Sequence, residues 1–187
     1  MLFIKTTYNT WYNIMFSIIK NGFTLVELIV TAAVLAIIAA IALPAFQHYM
    51  AEQEVQSTVA KLIMVNRSAR NLALLHHANV VICPSEGLAQ CEPAKWSRGF
   101  IVFADLNKNR QADAGESILQ TEALGLQYGT LDWKGALSMP SVTFQALSGL
   151  PIGSNGSFYY CSLADLPHQK IIMSKMAQIR VEHPSAC

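Results

Sequence analysis

The chain has 187 residues, of which 52% are apolar and 13% charged, with a formal net charge of +1. That length suits one anchor plus one domain of ordinary size. The near-neutral balance removes any global electrostatic reason for nucleic-acid binding, so a site of that kind would have to be local.

The first predicted element is an apolar helix. No residue from Leu28 to Phe46 carries a charge. As a helix that run spans about 28 Å, close to the ~30 Å hydrocarbon core of a bilayer. One carboxylate, Glu27, stands at its start, and a charge there costs roughly 2.5–3.5 kcal/mol on insertion scales, so it needs a partner. Lys5 and Lys20 precede the run, which by the positive-inside tendency keeps residues 1–22 cytoplasmic and sends everything after Phe46 to the other side. In an ordinary secretory signal the apolar core precedes the cut; here charge comes first, then Gly22, then the long apolar core. An uncleaved single-span anchor fits the same composition.

Beyond Phe46 the pattern turns amphipathic. Val55, Val59, Leu62, Ala69, Leu72 and Ala73 recur at three- and four-residue steps, with Glu52, Glu54, Lys61, Arg67 and Arg70 on other faces. One helix from about Thr24 to about His76 is predicted, lipid-soluble all round in its first half and presenting one stripe to a domain in its second. Pro44 cannot donate to the Ala40 carbonyl, so a bend is expected there. Short β-prone runs follow: Val80–Ile82, Phe100–Phe103, Ser117–Gln120, Val142–Phe144, Phe158–Cys161, and a last pair at Ile171–Met173 and Ile179–Val181. Turn residues bound each run. Strands following strands without intervening helices mean antiparallel sheets packed on the helix stripe, an α+β domain.

The stretch Gly22-Phe23-Thr24-Leu25-Val26-Glu27 with its apolar tail resembles the class III signal of type IV pilins and type II secretion pseudopilins. The resemblance implies a cut by prepilin peptidase between Gly22 and Phe23 and methylation of the new amine on Phe23. It puts Glu27 at the family's fifth mature position and Pro44 where pilins often carry a kink proline. Asn21 departs from the pattern, which more usually has a basic residue there. Further on, Trp96-Ser97-Arg98-Gly99-Phe100-Ile101-Val102-Phe103-Ala104-Asp105 with Asn107, Asn109 and Glu116, and the turn Cys83-Pro84-Ser85, resemble the GspH/FimT group of minor pilins. That resemblance implies the pilin fold: a leader over 1–22, a transmembrane and filament-core helix half over 23–46, and a periplasmic α+β domain over 47–187. It implies a single-pass inner-membrane protein that enters a filament, with other pilins as partners through the N-terminal helix, helping to initiate or cap a type II secretion pseudopilus or type IV pilus. The cleaved amine of Phe23, ordinarily cationic at neutral pH, would pair with Glu27, by the resemblance that of a neighbouring subunit; the alternative is a Glu27 that snorkels to the headgroups.

Four cysteines, Cys83, Cys91, Cys161 and Cys187, fit an oxidising compartment. Three pairings exist; Cys83–Cys91 with Cys161–Cys187 is favoured because each closes a local loop, of about 9 and 27 residues, contributing up to about 2.5 and 3.5 kcal/mol. Zinc ligation with His76 and His77 is disfavoured, since no C-x-x-C spacing occurs. Asp105, Asn107, Asn109, Asp113 and Glu116 match positions 1, 3, 5, 9 and 12 of a calcium loop, but Arg110 stands where glycine belongs and the flanks are strand-like, so a polar hairpin connection is favoured over calcium. Some FimT-like proteins bind DNA through a C-terminal Gly-Arg-x-Arg element; the corresponding Ala177-Gln178-Ile179-Arg180 keeps one arginine, with Lys170 and Lys175 nearby. DNA uptake is therefore the alternative function, and solvated charges on a hairpin the favoured reading of those three cations. The chain carries no phosphate-cradling Gly-rich loop, nucleophile elbow or His-rich metal helix, so neither an enzyme nor a cofactor is expected.

Overall fold

The computed structural model describes residues 24–187. Gly22 and Phe23 lie outside the described residues. The chain divides into two units, 1–46 and 47–187.

Helix α1 runs over Leu25–His76, through Pro44. Thr24 starts it: its Oγ1 accepts the Glu27 amide at 3.2 Å and its carbonyl accepts the Leu28 amide at 3.1 Å. A threonine hydroxyl satisfying an orphan amide of the first turn is a helix N-cap, and Glu27 occupies the third helical position, where a carboxylate interacts favourably with the helix dipole. In the first unit every described residue of α1 is exposed.

In the second unit α1 buries Ala51, Val55, Thr58, Leu62, Val65, Asn66, Ala69 and Ala73, the stripe that the three- and four-residue steps demand. Val59 and Leu72 flank it, half-buried. Asn66 is tolerated inside because its Nδ2 donates to the Leu62 carbonyl at 2.7 Å.

Eight strands follow: β1 Asn79–Pro84, β2 Gly99–Asp105, β3 Ile118–Ala123, β4 Gly129–Gly135, β5 Val142–Phe144, β6 Gly156–Ser162, β7 Gln169–Met173 and β8 Ile179–Glu182. They form two four-stranded antiparallel sheets, in the orders β3-β2-β1-β5 and β4-β6-β7-β8. The β5 strand thus returns to pair with β1 (Val80 opposite Phe144), while β4, β6, β7 and β8 pair among themselves.

The second sheet alternates as one half-exposed sheet should: Leu131 and Trp133 of β4, Phe158 and Tyr160 of β6, and Ile171 and Met173 of β7 point inward. They meet the inward residues of the first sheet, Val80, Ile82, Phe100, Val102, Val142 and Phe144, and the α1 stripe in one core. Trp96 sits in it edge-on to Phe158, with ring centroids 5.1 Å apart, and Phe158 in turn lies 4.5 Å from Trp133. The first sheet differs, since β2 is buried at every position. Its second face, Val81, Cys83, Ile101 and Phe103, is covered by Leu88, Cys91 and Ala112 from the β1–β2 and β2–β3 connections.

One free edge is closed by a single side chain. Ser97 Oγ accepts the Leu131 amide at 2.8 Å and donates to the Leu131 carbonyl at 3.1 Å, occupying β4 where another strand would pair. Gly129 opens β4 without a side chain because a Cβ there would overlap the Tyr160 ring. That ring cannot swing away, since its hydroxyl is tied to α1 at 2.8 Å through Glu54. Gly129→Ala therefore destabilises the domain by roughly 1–3 kcal/mol through overpacking, which a thermal melt of the full-length protein in detergent measures; an unchanged melting temperature contradicts it.

Candidate functional site

The apolar half of α1 is the site that the sequence makes most explicit. It contains an 18-residue window of mean hydropathy 2.7, none of it buried, the one helix among the described residues long and apolar enough to cross a membrane. Leu28, Ile29, Leu35, Ile38, Ile41 and Phe46 are all more than half exposed. At about 25 cal/mol per Å² of apolar surface, such a helix does not stay in water; lipid or other helices must cover it. Glu27 stands at its start, exposed, and is the only charge from Leu25 to Phe46.

The polar connection between β2 and β3 is built as a self-contained hairpin loop. Asp105, almost fully buried, accepts the backbone amides of Asn109 (3.1 Å) and Arg110 (3.2 Å). Asn107 and Asn109 both donate their side-chain amides to Asp113 Oδ2, at 2.8 and 2.6 Å, and these two bonds hold the Asp113 carboxyl below its ordinary value. Glu116 accepts the amides of Leu106 (2.8 Å) and Asp113 (3.2 Å). The structure brings all five residues together, each carboxylate facing amide hydrogens. Lys108 and Arg110 take positive φ, at 63° and 64°, where the loop turns. Among the described residues no group of three or more His, Cys, Asp and Glu side chains is placed to hold a metal ion.

All four cysteines are in disulfides, Cys83–Cys91 and Cys161–Cys187, the locally closing pairing, and none is left to bind zinc with His76 and His77. The first bridge ties the β1–β2 connection down over the second face of the first sheet. The second ties the chain end to β6.

Lys170, Arg180 and the neighbouring Lys134 lie on the outward face of the second sheet, whereas Lys175 is in the turn between β7 and β8. Arg180 is paired with Glu182 at 2.7 Å. Lys134 and Lys170 lie over the Tyr159 ring, 4.5 and 5.4 Å from its centroid. By register, Asp132 is opposite Tyr159 and Glu182 opposite Lys170. Cations on this face are interleaved with acids, which suits a solvated sheet surface better than a phosphate track.

One charged residue that sequence reasoning treats as an ordinary solvated side chain is a central anchor. Glu54 of α1 accepts the amides of Gln127 (2.7 Å) and Tyr128 (3.0 Å) and the Tyr160 hydroxyl (2.8 Å). It fastens the start of β4 and the middle of β6 to the helix. No spacing rule reveals it, because its partners lie 73 to 106 residues away. A second tie, Lys61 to Glu122 at 2.6 Å, links α1 to β3.

Comparison with known proteins places this geometry. The family described as Type II transport protein GspH matches residues 58–180, and the prokaryotic N-terminal methylation motif matches residues 19–43. A Pseudomonas aeruginosa fimbrial protein is 36% identical over 55 residues, 29% of this chain and 36% of that relative. Fimbrial protein Q of Moraxella bovis is 44% identical over 43 residues, 23% of this chain and 27% of the relative. The match thus spans about a third of the fimbrial proteins' length. The Pseudomonas aeruginosa type IV minor pilin FimU, in one crystal form, superposes with a TM-score of 0.55 at 17% identity, covering 73% of this chain and 96% of that one. A second crystal form gives 0.50 at 19% identity, over 71% and 98%. The likeness is one of fold, with the two sheets, the helix stripe and the disulfide-held loop built here from this chain's own residues. The chain belongs to the GspH family of type II transport proteins and carries the prokaryotic N-terminal methylation motif over residues 19–43.

Proposed function

We propose that the protein is a minor pilin or pseudopilin, a structural subunit that helps to initiate or cap a type II secretion pseudopilus or a type IV pilus. The observation that carries this reading is the pairing of a methylation motif with a charge-free helix half that its own chain leaves wholly exposed. Prepilin peptidase cuts between Gly22 and Phe23, and Phe23 is methylated. The helix half waits in the inner membrane, with the domain in the periplasm, and then packs among the helices of other pilins. The new α-amine of a neighbouring subunit neutralises Glu27, offsetting the cost of moving that carboxylate out of water.

The test is made on protein recovered from cells. Intact-mass analysis should find a chain that starts at Phe23 and carries one methyl group. Glu27→Ala should be processed equally well yet be lost from sheared filaments or from crosslinked pilin complexes. A chain that still starts at Met1 and associates with no other pilin defeats the reading. Deletion, scored for exoprotein secretion and for piliation in parallel, then tells which machine the subunit serves.

A further inference from the structure

A cleft of about 480 Å³ opens along the free edge of β4. Ala94 and Trp96 of the β1–β2 connection line one part of it, and Ser138, Met139 and Pro140, which follow β4, line another. The end of β4 itself, from Asp132 to Gly135, completes the lining. We propose that this cleft binds an extended segment of a different protein, added antiparallel to β4 and carrying an acidic, an apolar and a basic residue in succession. The mode of binding does not depend on the assembly reading above.

The main chain selects an extended occupant. Along an antiparallel strand the N–H and C=O of one residue point to the same side, and those of the next residue to the opposite side. Both groups of Leu131 point away from β6, since both bond to Ser97 Oγ. Those of Trp133, two residues on, therefore point the same way, into the cleft. No strand pairs with β4 on that side, and among the described residues no group does for Trp133 what Ser97 does for Leu131. The chain that follows does not close the edge either. It turns off through Leu137 and Ser138, both at positive φ (58° and 57°), and the Met139 carbonyl accepts the Trp133 indole N–H at 3.0 Å rather than the main-chain amide. One donor and one acceptor on a single residue are what one residue of an added antiparallel strand satisfies. A helix spends its own main-chain groups internally and cannot do so.

The side chains select the sequence of that segment. A residue directly opposite Trp133 shares its inward face, so it turns its side chain to the apolar lining at Ala94, Trp96 and Pro140. Its two neighbours fall on the outward face, beside Asp132 and Lys134, which are both exposed. Lys134 is held on that face over the Tyr159 ring, 4.5 Å from its centroid. Opposite charges across a strand pair are favourable and like charges unfavourable. Antiparallel order sets the residue before the apolar one against Lys134 and the residue after it against Asp132, so the acid comes first and the base last. The β4 strand itself reads Asp132-Trp133-Lys134, yet a second copy is not the occupant. The two-fold axis that would pair two β4 edges stands normal to the sheet and reverses the helix packed on it, whereas helices anchored in one membrane, as proposed above, run the same way.

The test uses the full-length protein in detergent and a fluorescein-labelled, end-capped peptide Thr-Glu-Val-Lys-Thr, with binding read by fluorescence anisotropy. One control peptide is Thr-Lys-Val-Glu-Thr, which has the same composition. The other is the first peptide with its valine amide methylated, which removes the proton donated to the Trp133 carbonyl. Each control should bind about ten-fold more weakly. Asp132→Lys combined with Lys134→Asp, at two exposed positions, should invert the preference between the two sequence orders. Equal binding of the two orders, undiminished binding of the methylated peptide, or no binding of any peptide up to about 1 mM overturns the proposal. If the charge-swapped protein does not fold, the two control peptides decide the matter on the parent protein alone. Processing and filament entry are read separately, so a failure here leaves the assembly reading standing.

Discussion

Glu54→Ala should destabilise the domain by about 3 kcal/mol, the largest effect expected of any single charged side chain on α1. Its carboxylate accepts three hydrogen bonds, from two main-chain amides and one phenol. The Gln127 amide is exposed enough to turn to water, but the Tyr128 amide is partly shielded and the Tyr160 side chain is fully buried. Leaving two such donors without an acceptor costs roughly 1–3 kcal/mol each. For a protein of this size that lowers the melting temperature by about 10 °C. Tyr160→Phe removes one donor and leaves the carboxylate its two amides, so about 1 kcal/mol is expected. The double substitution should cost less than the sum, because the two side chains share one bond. A Glu54→Ala protein within 0.5 kcal/mol of the parent would show that the anchor is decorative.

The same contact predicts an alkaline limb. Burial pushes the Tyr160 hydroxyl above the ordinary tyrosine value of 10.0, and the bond to Glu54 and its negative charge push the same way. Below about pH 10 the phenol is protonated in both folded and unfolded chains, and its contribution is complete. Above that pH the unfolded chain releases the proton while the folded one retains it, so stability falls as pH rises. Denaturant melts between about pH 9 and 11 should therefore show a steeper decline for the parent than for Tyr160→Phe. Equal slopes would mean that other tyrosines carry the whole alkaline effect.

The contrast between Glu54 and the rest of the molecule shows which features a linear sequence exposes. Most local signals are legible in the sequence. Apolar steps of three and four marked the α1 stripe, and the predicted helix start at Thr24 proves to be its N-cap, one residue before Leu25. Seven strands stood out as β-prone runs bounded by turn residues. The eighth, β4, did not, because its composition, Gly-Thr-Leu-Asp-Trp-Lys-Gly, is unlike a buried strand. Only the alternation of Leu131 and Trp133 with Thr130, Asp132 and Lys134 marks it, and its hydrogen bonding depends on β6, more than twenty residues downstream. The five calcium-like positions were legible as a cluster, whereas their use as acceptors for amides was not, because it depends on how the connection folds back on itself. Glu54 is the extreme case, since an acid on an amphipathic helix reads as a solvated charge until the chain returns to it from strands far away.

Removing the Cys83–Cys91 bridge should cost about 3–4 kcal/mol, and removing Cys161–Cys187 no more than about 2 kcal/mol, the reverse of the order that loop length dictates. Loop entropy alone assigns about 2.5 kcal/mol to the shorter loop and about 3.5 to the longer. That estimate assumes that the folded chain is unchanged when the bridge is cut. For the longer loop it fails: Ser185, Ala186 and Cys187 are exposed and lie beyond β8, outside both sheets, so once released they gain freedom in the folded state too, and the two gains largely cancel. For the shorter loop the folded chain has nowhere to relax. Cys83 is buried in β1 between Ile82 and Pro84, and the loop stays tied through Glu92, whose carboxylate accepts the Glu86 and Gly87 amides. Substituting both cysteines by alanine then also removes buried sulfur from against Val81, Ile101 and Phe103, at about 0.8 kcal/mol for each methylene-sized group. Paired Cys→Ala proteins, melted in detergent under identical conditions, decide between the two accounts. A drop of about 10 °C for the Cys83/Cys91 pair and under about 5 °C for the Cys161/Cys187 pair is expected. The opposite ranking would mean that the unfolded chain, not the buried face of the first sheet, sets what these bridges contribute.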